Sequence, residues 1–236
     1  MAFCRTSLLL TTLVLLAACG PTEPQKATEA ERRRIECLDK FCPGDVEPKR
    51  DVRTEVAIKL NGQWFIGPAD YFSTGMNGAA FFWPSKMSAR PTASDFLEKV
   101  FATSGRADEV TIEVFLRSRN SQPQGPSRYQ ALLNAEVEGR VLSKHLLRPG
   151  LELWQTRETD GLGQGLWYVA TQYAATDPNG SVLSCRRRDP QYDRCVTAFE
   201  WKPGVTADMR FRAKHAPDWP EIYQEAIRVL QLLRKA

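Results

Sequence analysis

The dipeptide Asn61-Gly62 separates two short runs in which apolar and polar residues alternate. Alternation with a period of two is typical of a half-buried β-strand. A two-residue connection of type I′ needs positive φ at both positions, which Asn and Gly tolerate better than other residues. The pattern therefore predicts an antiparallel hairpin in which Ile58 faces Phe65. Apolar side chains on both faces of this hairpin also predict a second layer over the face that carries Trp64.

Further apolar runs extend this β pattern through the chain. Strands are predicted at 79–83, 109–117, 151–157, 166–173, 182–187, 194–201 and 209–214. Residues 129–138 fit either a strand or a helix, because their apolar positions suit both periods. A helix is predicted at 92–101, and a shorter one at 28–38, where Thr28 and Glu31 fit a capping box.

The C-terminal stretch predicts an amphipathic helix. Asp218 stands at the expected N-cap, with Pro220 in the first turn and Glu221 at the third position. Apolar residues then recur at helical spacing, and Arg234 and Lys235 suit the negative end of the helix dipole. The predicted fold class is α+β: a mainly antiparallel β-sheet of several hairpins, with this helix packed on it and a short N-terminal helix.

Residues 1–20 have the layout of a secretory signal, with Arg5 near the start, an apolar run and then small residues. The apolar run is shorter than the roughly 20 residues that a membrane-spanning helix needs. The pattern therefore predicts export. An ordinary secretory signal with an incidental cysteine at its end is one interpretation of this segment.

The segment Leu16-Ala17-Ala18-Cys19 resembles the lipobox of bacterial lipoproteins. The resemblance implies cleavage before Cys19 and attachment of fatty acyl chains such as palmitate to this residue. Gly20, rather than Asp, follows the cysteine and favours the outer membrane, so we expect a lipid-anchored envelope protein that faces the periplasm. The implied organisation is a signal peptide at 1–18, a lipidated tether at 19–34 and a single β-rich globular domain at 35–236.

Composition is ordinary for a globular protein, with 42% hydrophobic and 25% charged residues. The formal net charge of +4 is modest for 236 residues and does not indicate a nucleic-acid partner. No small-molecule substrate is indicated either.

The cysteines agree with export. The chain has six, of which Cys4 lies in the predicted signal and Cys19 in the lipobox. An even number of remaining cysteines in an exported chain predicts disulfide bonds. Three connectivities are possible, and nearest-neighbour pairing is the simplest: Cys37 with Cys42, and Cys185 with Cys195. A zinc site is the competing interpretation, but the spacings are not CxxC and the chain has only two histidines, so we expect neither metal nor cofactor.

Catalytic motifs are not apparent in the sequence. His145 and His215 lie far apart without a triad context, and no G-x-S-x-G, H-E-x-x-H or P-loop pattern occurs. The glycine-rich stretch at 159–165 has no predicted helix after it to present free N–H groups to a phosphate, so a turn is favoured. We therefore expect a protein that is not an enzyme, with a small periplasmic hydrolase as an alternative.

Three stretches are candidates for partner contact: the aromatic and glycine-rich stretch at 68–91, the loop near 120–128 and the basic hairpin tip at 186–194. Aromatic and arginine side chains are enriched at interface hot spots. Packing of the aromatics in the core, and internal pairing of the tip, are the alternatives. The predicted contact residues are Tyr71, Phe72, Phe82, Arg128, Arg186, Arg187, Arg188 and Tyr192.

Three stretches together resemble the immunity lipoproteins that protect against type VI secretion phospholipase effectors. They are the segment Cys37-Leu-Asp-Lys-Phe-Cys42-Pro-Gly-Asp45, the hairpin at 56–66, and the aromatic stretch that runs through Trp83-Pro84-Ser85. The resemblance implies a periplasmic protein that binds a secreted lipase-type effector and blocks its active site. A structural or assembly lipoprotein of the envelope or secretion apparatus is the alternative.

Overall fold

The computed structural model describes residues 29–89, 108–118, 126–157, 165–186 and 194–236. The helices of this part of the chain are α1 Glu29–Glu36, α2 Arg128–Val137 and α3 Trp219–Leu230. The strands are β1 Glu55–Leu60, β2 Gln63–Pro68, β3 Phe72–Ser73, β4 Gly78–Trp83, β5 Val110–Ser118, β6 Val141–Arg148, β7 Leu151–Thr156, β8 Gly165–Ala170, β9 Val182–Arg186, β10 Arg194–Lys202, β11 Val205–Arg212 and β12 Arg234–Lys235. The helix predicted at 92–101 and most of the turn at 159–165 lie outside the described residues.

The hairpin formed by β1 and β2 has the predicted register, with Ile58 opposite Phe65. Asn61 and Gly62 both adopt positive φ, 49° and 72°, as a type I′ turn requires. β12 pairs with the other edge of β2 and completes a three-stranded antiparallel sheet. The prediction of this hairpin is confirmed.

Nine of the described strands form a second sheet in the order β3-β4-β5-β11-β10-β9-β8-β7-β6. All of its pairings are antiparallel. The predicted hairpins β7–β8 and β9–β10 are both present. Together with the helices at both ends of the described chain, this confirms the α+β class.

One apolar core joins both sheets to α3. It contains Ile58 and Phe65 from the small sheet, Val114 from the large one, and Trp219 and Leu230 from α3, all at most 3% exposed. The alternation predicted for 109–117 is confirmed, because the alternate residues that begin at Val110 line this core. The amphipathic character predicted for the C-terminal helix is also confirmed.

Residues 128–137 form a helix, which resolves the ambiguity left by the sequence. Ser127 caps it, since the Ser127 side chain accepts a hydrogen bond from the backbone N–H of Gln130 at 3.1 Å. Leu132 and Ala135 are the buried positions of this helix. Their spacing of three residues suits one face of a helix rather than one face of a strand.

The C-terminal end differs from the prediction in two respects. α3 ends at Leu230, so Arg234 and Lys235 do not neutralise its dipole but pair with β2 as strand β12. Asp218 occupies the N-cap position without a side-chain capping bond. Its carboxylate instead accepts a hydrogen bond from Trp83 Nε1 at 3.0 Å and lies 2.8 Å from His215 Nδ1. One distant partner, Trp83, and one local partner, His215, thus take the place of the capping bond.

In the described part of the chain, no helix is long and apolar enough to cross a membrane.

Candidate partner-binding cleft

A cleft of about 900 Å³ opens where the segment 37–50 meets the β1–β2 hairpin, the turn at 74–77 and the end of β5. The segment 37–50 contacts the face of the hairpin that carries Trp64, through Phe41 on Trp64 and Asp45 on Lys59, in agreement with the predicted second layer. The Cys37–Cys42 disulfide closes a short loop at one side of the cleft, as predicted from nearest-neighbour pairing. The cleft therefore depends on residues that are far apart in the chain.

Asp39, inside this disulfide loop, attaches the loop to both sheets. Its carboxylate accepts hydrogen bonds from the backbone N–H groups of Ser118, at 2.7 Å, and Asn61, at 3.2 Å, and also from the Ser118 hydroxyl. Its backbone carbonyl accepts a hydrogen bond from Asn77 Nδ2 at 2.6 Å. One side chain thus ties the loop to the hairpin turn and to the end of β5, and the loop position becomes fixed.

Asp45 makes a second attachment. Its carboxylate accepts hydrogen bonds from Lys59 Nζ at 2.5 Å and from the Cys42 backbone N–H at 2.7 Å. The Lys59 side chain is only 8% exposed, so this carboxylate is its charge partner where water has little access. The hydrogen bond from Lys59, followed by that from the Cys42 N–H, lowers the pKa of Asp45 below its ordinary 3.8.

Phe41 lies at the tip of the loop and is 64% exposed. Its ring contacts that of Trp64 at a centroid distance of 6.2 Å, and Trp64 is itself half-buried. Exposed aromatic side chains on a rigid support are frequent anchors in protein interfaces. Phe41 and Trp64 therefore form an apolar ledge on the cleft, which we call the aromatic ledge.

Cations surround the aromatic ledge. The cationic side chains that line the cleft are Lys40, Arg50, Lys59 and Arg117, against the carboxylates of Asp39 and Glu47. Arg50 Nη1 pairs with Glu47 at 2.6 Å, while Arg50 Nε is buried and has no hydrogen-bond partner among the described residues. Lys59 pairs with Asp45 and Arg117 with Asp208. Lys40 is exposed beside the ledge, where its ammonium suits recognition of an anionic or carbonyl-rich surface.

Two predicted contact residues are wrong on grounds of burial. Phe72 is 1% exposed and Phe82 is 7% exposed, so neither can be a principal contact for a partner. Phe72 belongs to the main core, and Phe82 packs with Ala80 and Ala89 on the other face of β4. Neutral, aromatic-rich β4 is buried along its whole length, which accounts for its lack of alternation.

The other predicted contact residues do not come together at the cleft. Tyr71 is half-buried, with the Arg228 guanidinium 6.0 Å from its ring centroid. Arg128 is half-buried at the start of α2. Arg187, Arg188 and Tyr192 lie outside the described residues, and only the backbone of Arg186 is described, at the end of β9. Cys19 and residues 20–28 of the predicted tether also lie outside them, whereas residues 29–34 belong to helix α1.

The contact residues predicted from the sequence did not include the aromatic ledge or Lys40. A usable signal was present, because a loop closed by cysteines five residues apart has little interior of its own, and Phe41 within it is 64% exposed. Trp64 carried a second signal, since it falls on the face of the hairpin opposite the main core. The cleft itself had no local signal, because its walls come from four separate stretches.

The cleft offers hydrogen-bond donors and an aromatic surface for binding. Among the residues that the structure describes, no group of three or more His, Cys, Asp or Glu side chains is placed to hold a metal ion. Comparison of the chain with protein-family models, with curated proteins and with solved structures gives no match.

Proposed function

We propose that the protein is a lipid-anchored lipoprotein of the bacterial envelope that binds a type VI secretion phospholipase effector and inhibits it. The observation that carries the proposal is the arrangement of the segment 37–45. Asp39 and Asp45 attach the segment to the two sheets, which leaves Lys40 and Phe41 at the surface beside a large cleft. This segment is also the one that resembles immunity lipoproteins.

Rigidity favours an inhibitor that acts by occlusion. A binding surface that is already ordered loses less conformational entropy when its partner docks. The disulfide, the Asp39 hydrogen bonds and the Asp45–Lys59 ion pair hold the cleft wall before any partner arrives. Anchoring at Cys19 would place this surface beside the phospholipids that the effector attacks.

Affinity purification tests the proposal. The tagged protein, incubated with the secreted proteins of kin cells, should retain one lipase and suppress its phospholipase activity at a one-to-one ratio. Phe41→Ala should weaken this binding at least about tenfold, because truncation of an interface anchor costs about 2 kcal/mol or more. Val137→Ala is the matched control, since Val137 is 90% exposed but does not line the cleft.

Deletion of the gene provides the cellular readout. Cells that lack the protein should be killed by kin that deliver the effector, and the wild-type gene should restore protection while the Phe41→Ala variant restores less. Recovery of envelope scaffold proteins alone, together with normal survival beside kin, would contradict the inhibitor role.

An assembly subunit of the envelope is the second candidate function. Strand β6, at the edge of the large sheet, exposes Leu142 by 51%, Leu146 by 71% and Leu147 by 43%. A long edge strand with exposed apolar side chains is a template for pairing with another chain. Loss of an assembly subunit should leave the envelope leaky even in the absence of kin.

A further inference from the structure

A second, smaller depression of about 250 Å³ lies on the outer face of the large sheet. It is lined by Phe115, Arg117, Arg128, Val196, Asp208 and Arg210, among others, and we call it the arginine hollow. Phe115 and Arg117 also line the cleft, so the two depressions are neighbours on one surface.

Strand alternation places these charges on the outer face. Along β11 the residues Ala207, Met209 and Phe211 are buried, so Asp208 and Arg210 point to the other side. Cross-strand pairing then sets Asp208 opposite Phe115 on β5. Arg128 reaches the same place from the first position of α2.

The three guanidinium groups of the hollow have different partners. Arg117 Nε lies 3.1 Å from Asp208 Oδ2, and Arg210 Nε lies 2.5 Å from Glu113 Oε2. The Arg210 guanidinium also lies 4.3 Å from the centroid of the Phe115 ring. The positions of Arg117 and Arg210 are therefore set by neighbouring side chains.

Arg128 differs from the other two, because no described carboxylate lies within ion-pair distance of it. Its guanidinium donates one hydrogen bond within the described residues, from Nη1 to the Val196 carbonyl at 3.2 Å. Arginine carries five N–H donors, and a carboxylate can accept two of them side by side. Burial lowers the pKa of Arg128, and the charge of nearby Asp208 opposes this shift.

We propose that the arginine hollow receives one carboxylate side chain, Asp or Glu, from the protein that occupies the cleft, and that Arg128 is its principal donor. Arg117, Arg128 and Arg210 outnumber Asp208, the one carboxylate among the described residues that line the hollow, so the lining has an excess of positive charge. Its volume of about 250 Å³ is below that of ordinary small-molecule pockets, which is roughly 300–1,000 Å³, and suits a single side chain. The inference rests on the proposed function in one respect, namely that a protein binds this face.

The test uses the arginine Nε–H signals in NMR spectra of the soluble protein from residue 20 onward. The probe is a short glycine-serine peptide with one central Glu, and the same peptide with Gln is the control. We expect the Glu peptide to shift the Arg128 and Arg117 signals and the Gln peptide to leave them in place. Equal shifts with both peptides, or none with either, would overturn the proposal.

Two variants should change the affinity for the Glu peptide in opposite directions. Asp208→Asn removes the internal carboxylate that competes with the probe, so its affinity for the Glu peptide should rise about threefold or more. Such a gain cannot come from a misfolded chain. Arg128→Gln should reduce the affinity about fivefold or more, while Arg53→Gln, which removes an exposed arginine elsewhere, should leave it unchanged. Unchanged affinity in the Arg128 and Asp208 variants would refute the assignment.

Phosphate is the competing anion. Inorganic phosphate, or vesicles that contain phosphatidylglycerol, should bind the hollow more weakly than the Glu peptide at equal charge concentration. Tighter binding of either would assign the hollow to a phosphate group and overturn the carboxylate proposal. The peptide measurements need no effector. A negative peptide result therefore overturns the assignment of the hollow, whereas a negative affinity purification overturns the proposed function.

Discussion

At the scale of single residues, two aspartates decide the shape of the cleft. Asp39 and Asp45 lie in the same nine-residue segment, yet their hydrogen bonds reach the hairpin turn, β5 and β1. Backbone pairing contributes less, through the bond from the Gly62 N–H to the Leu38 carbonyl at 3.0 Å. Loss of either carboxylate should therefore loosen the cleft wall more than it disturbs the sheets.

Asp45→Asn should destabilise the protein at neutral pH, because it leaves the Lys59 ammonium, 8% exposed, without its charge partner. The pKa of Asp45 is depressed below 3.8 in the folded state, so its stabilising contribution is complete above about pH 4 and is lost as the pH falls through the folded-state pKa. Urea unfolding should show a clear stability gap between wild type and variant at pH 7.

That gap should narrow towards pH 3, where protonation of Asp45 begins to remove the ion pair from the wild type as well. Glu36→Gln, at an exposed position of α1, is the control and should change stability little at either pH. A gap of constant size across this range would show that the carboxylate acts through its shape rather than its charge.

Some residues of the site could be predicted from the sequence, and others could not. The pairing of Cys37 with Cys42 followed from proximity in the chain. The roles of Asp39 and Asp45 did not, because an aspartate in a loop has many local uses and its distant partner leaves no trace in the sequence. Phe72 and Phe82 were predicted to be surface contacts but are buried, because the composition of an aromatic cluster is the same whether the cluster is exposed or buried.

At the scale of elements, the large sheet has a weak seam. Among the described residues, β9 and β10 share two pairs in register, Cys185 with Cys195 and Ser184 with Val196, whereas β10 and β11 pair along most of their length. The Cys185–Cys195 disulfide lies in this seam. Further along the same two strands, a side chain supplies the link between them in place of a backbone hydrogen bond. The Thr197 hydroxyl donates to the Val182 carbonyl at 2.8 Å.

Replacement of both seam cysteines by serine should lower the free energy of unfolding by about 3 kcal/mol, the value expected for a loop closed by cysteines ten residues apart. Hydrogen exchange should accelerate first in β9 and β10. The matched control replaces Cys37 and Cys42 by serine, which should cost about 2 kcal/mol and accelerate exchange beside the cleft instead. Uniform acceleration through both sheets in either variant would contradict a local seam.

Elements were predicted well where local chemistry specifies them. The Asn61-Gly62 turn set the register of β1 and β2, and strict alternation identified β5. Strand β6 was not predicted, because its leucines are largely exposed and show no core-facing pattern. The helix was also extended too far at the C-terminal end, where pairing of Arg234 with Ile66 of β2 overrides helix propensity.

At the scale of the whole molecule, the proposed location depends on one cysteine. Cys19→Ser should release the protein from the membrane fraction, because the acyl chains would have no attachment site and each buried CH₂ contributes about 0.8 kcal/mol to anchoring. Fractionation and intact mass measure this directly. Cys4→Ser, within the predicted signal, is the control and should leave the protein on the membrane. Sedimentation of Cys19→Ser with membranes, without added lipid mass, would remove the basis for the location.

The strand order has a consequence for biogenesis. β5 lies between β4 and β11 in the large sheet, and β2 lies between β1 and β12 in the small sheet. Neither sheet can therefore be complete before its strand from the last 32 residues, 205–236, is available. A chain that crosses a membrane N-terminus first therefore exposes two open strand edges until its tail emerges. Late, long-range pairing slows folding and favours aggregation of the incomplete chain. Under the proposed export, the time needed to complete translocation, rather than the strength of any one hairpin, would thus determine how long these edges stay unpaired.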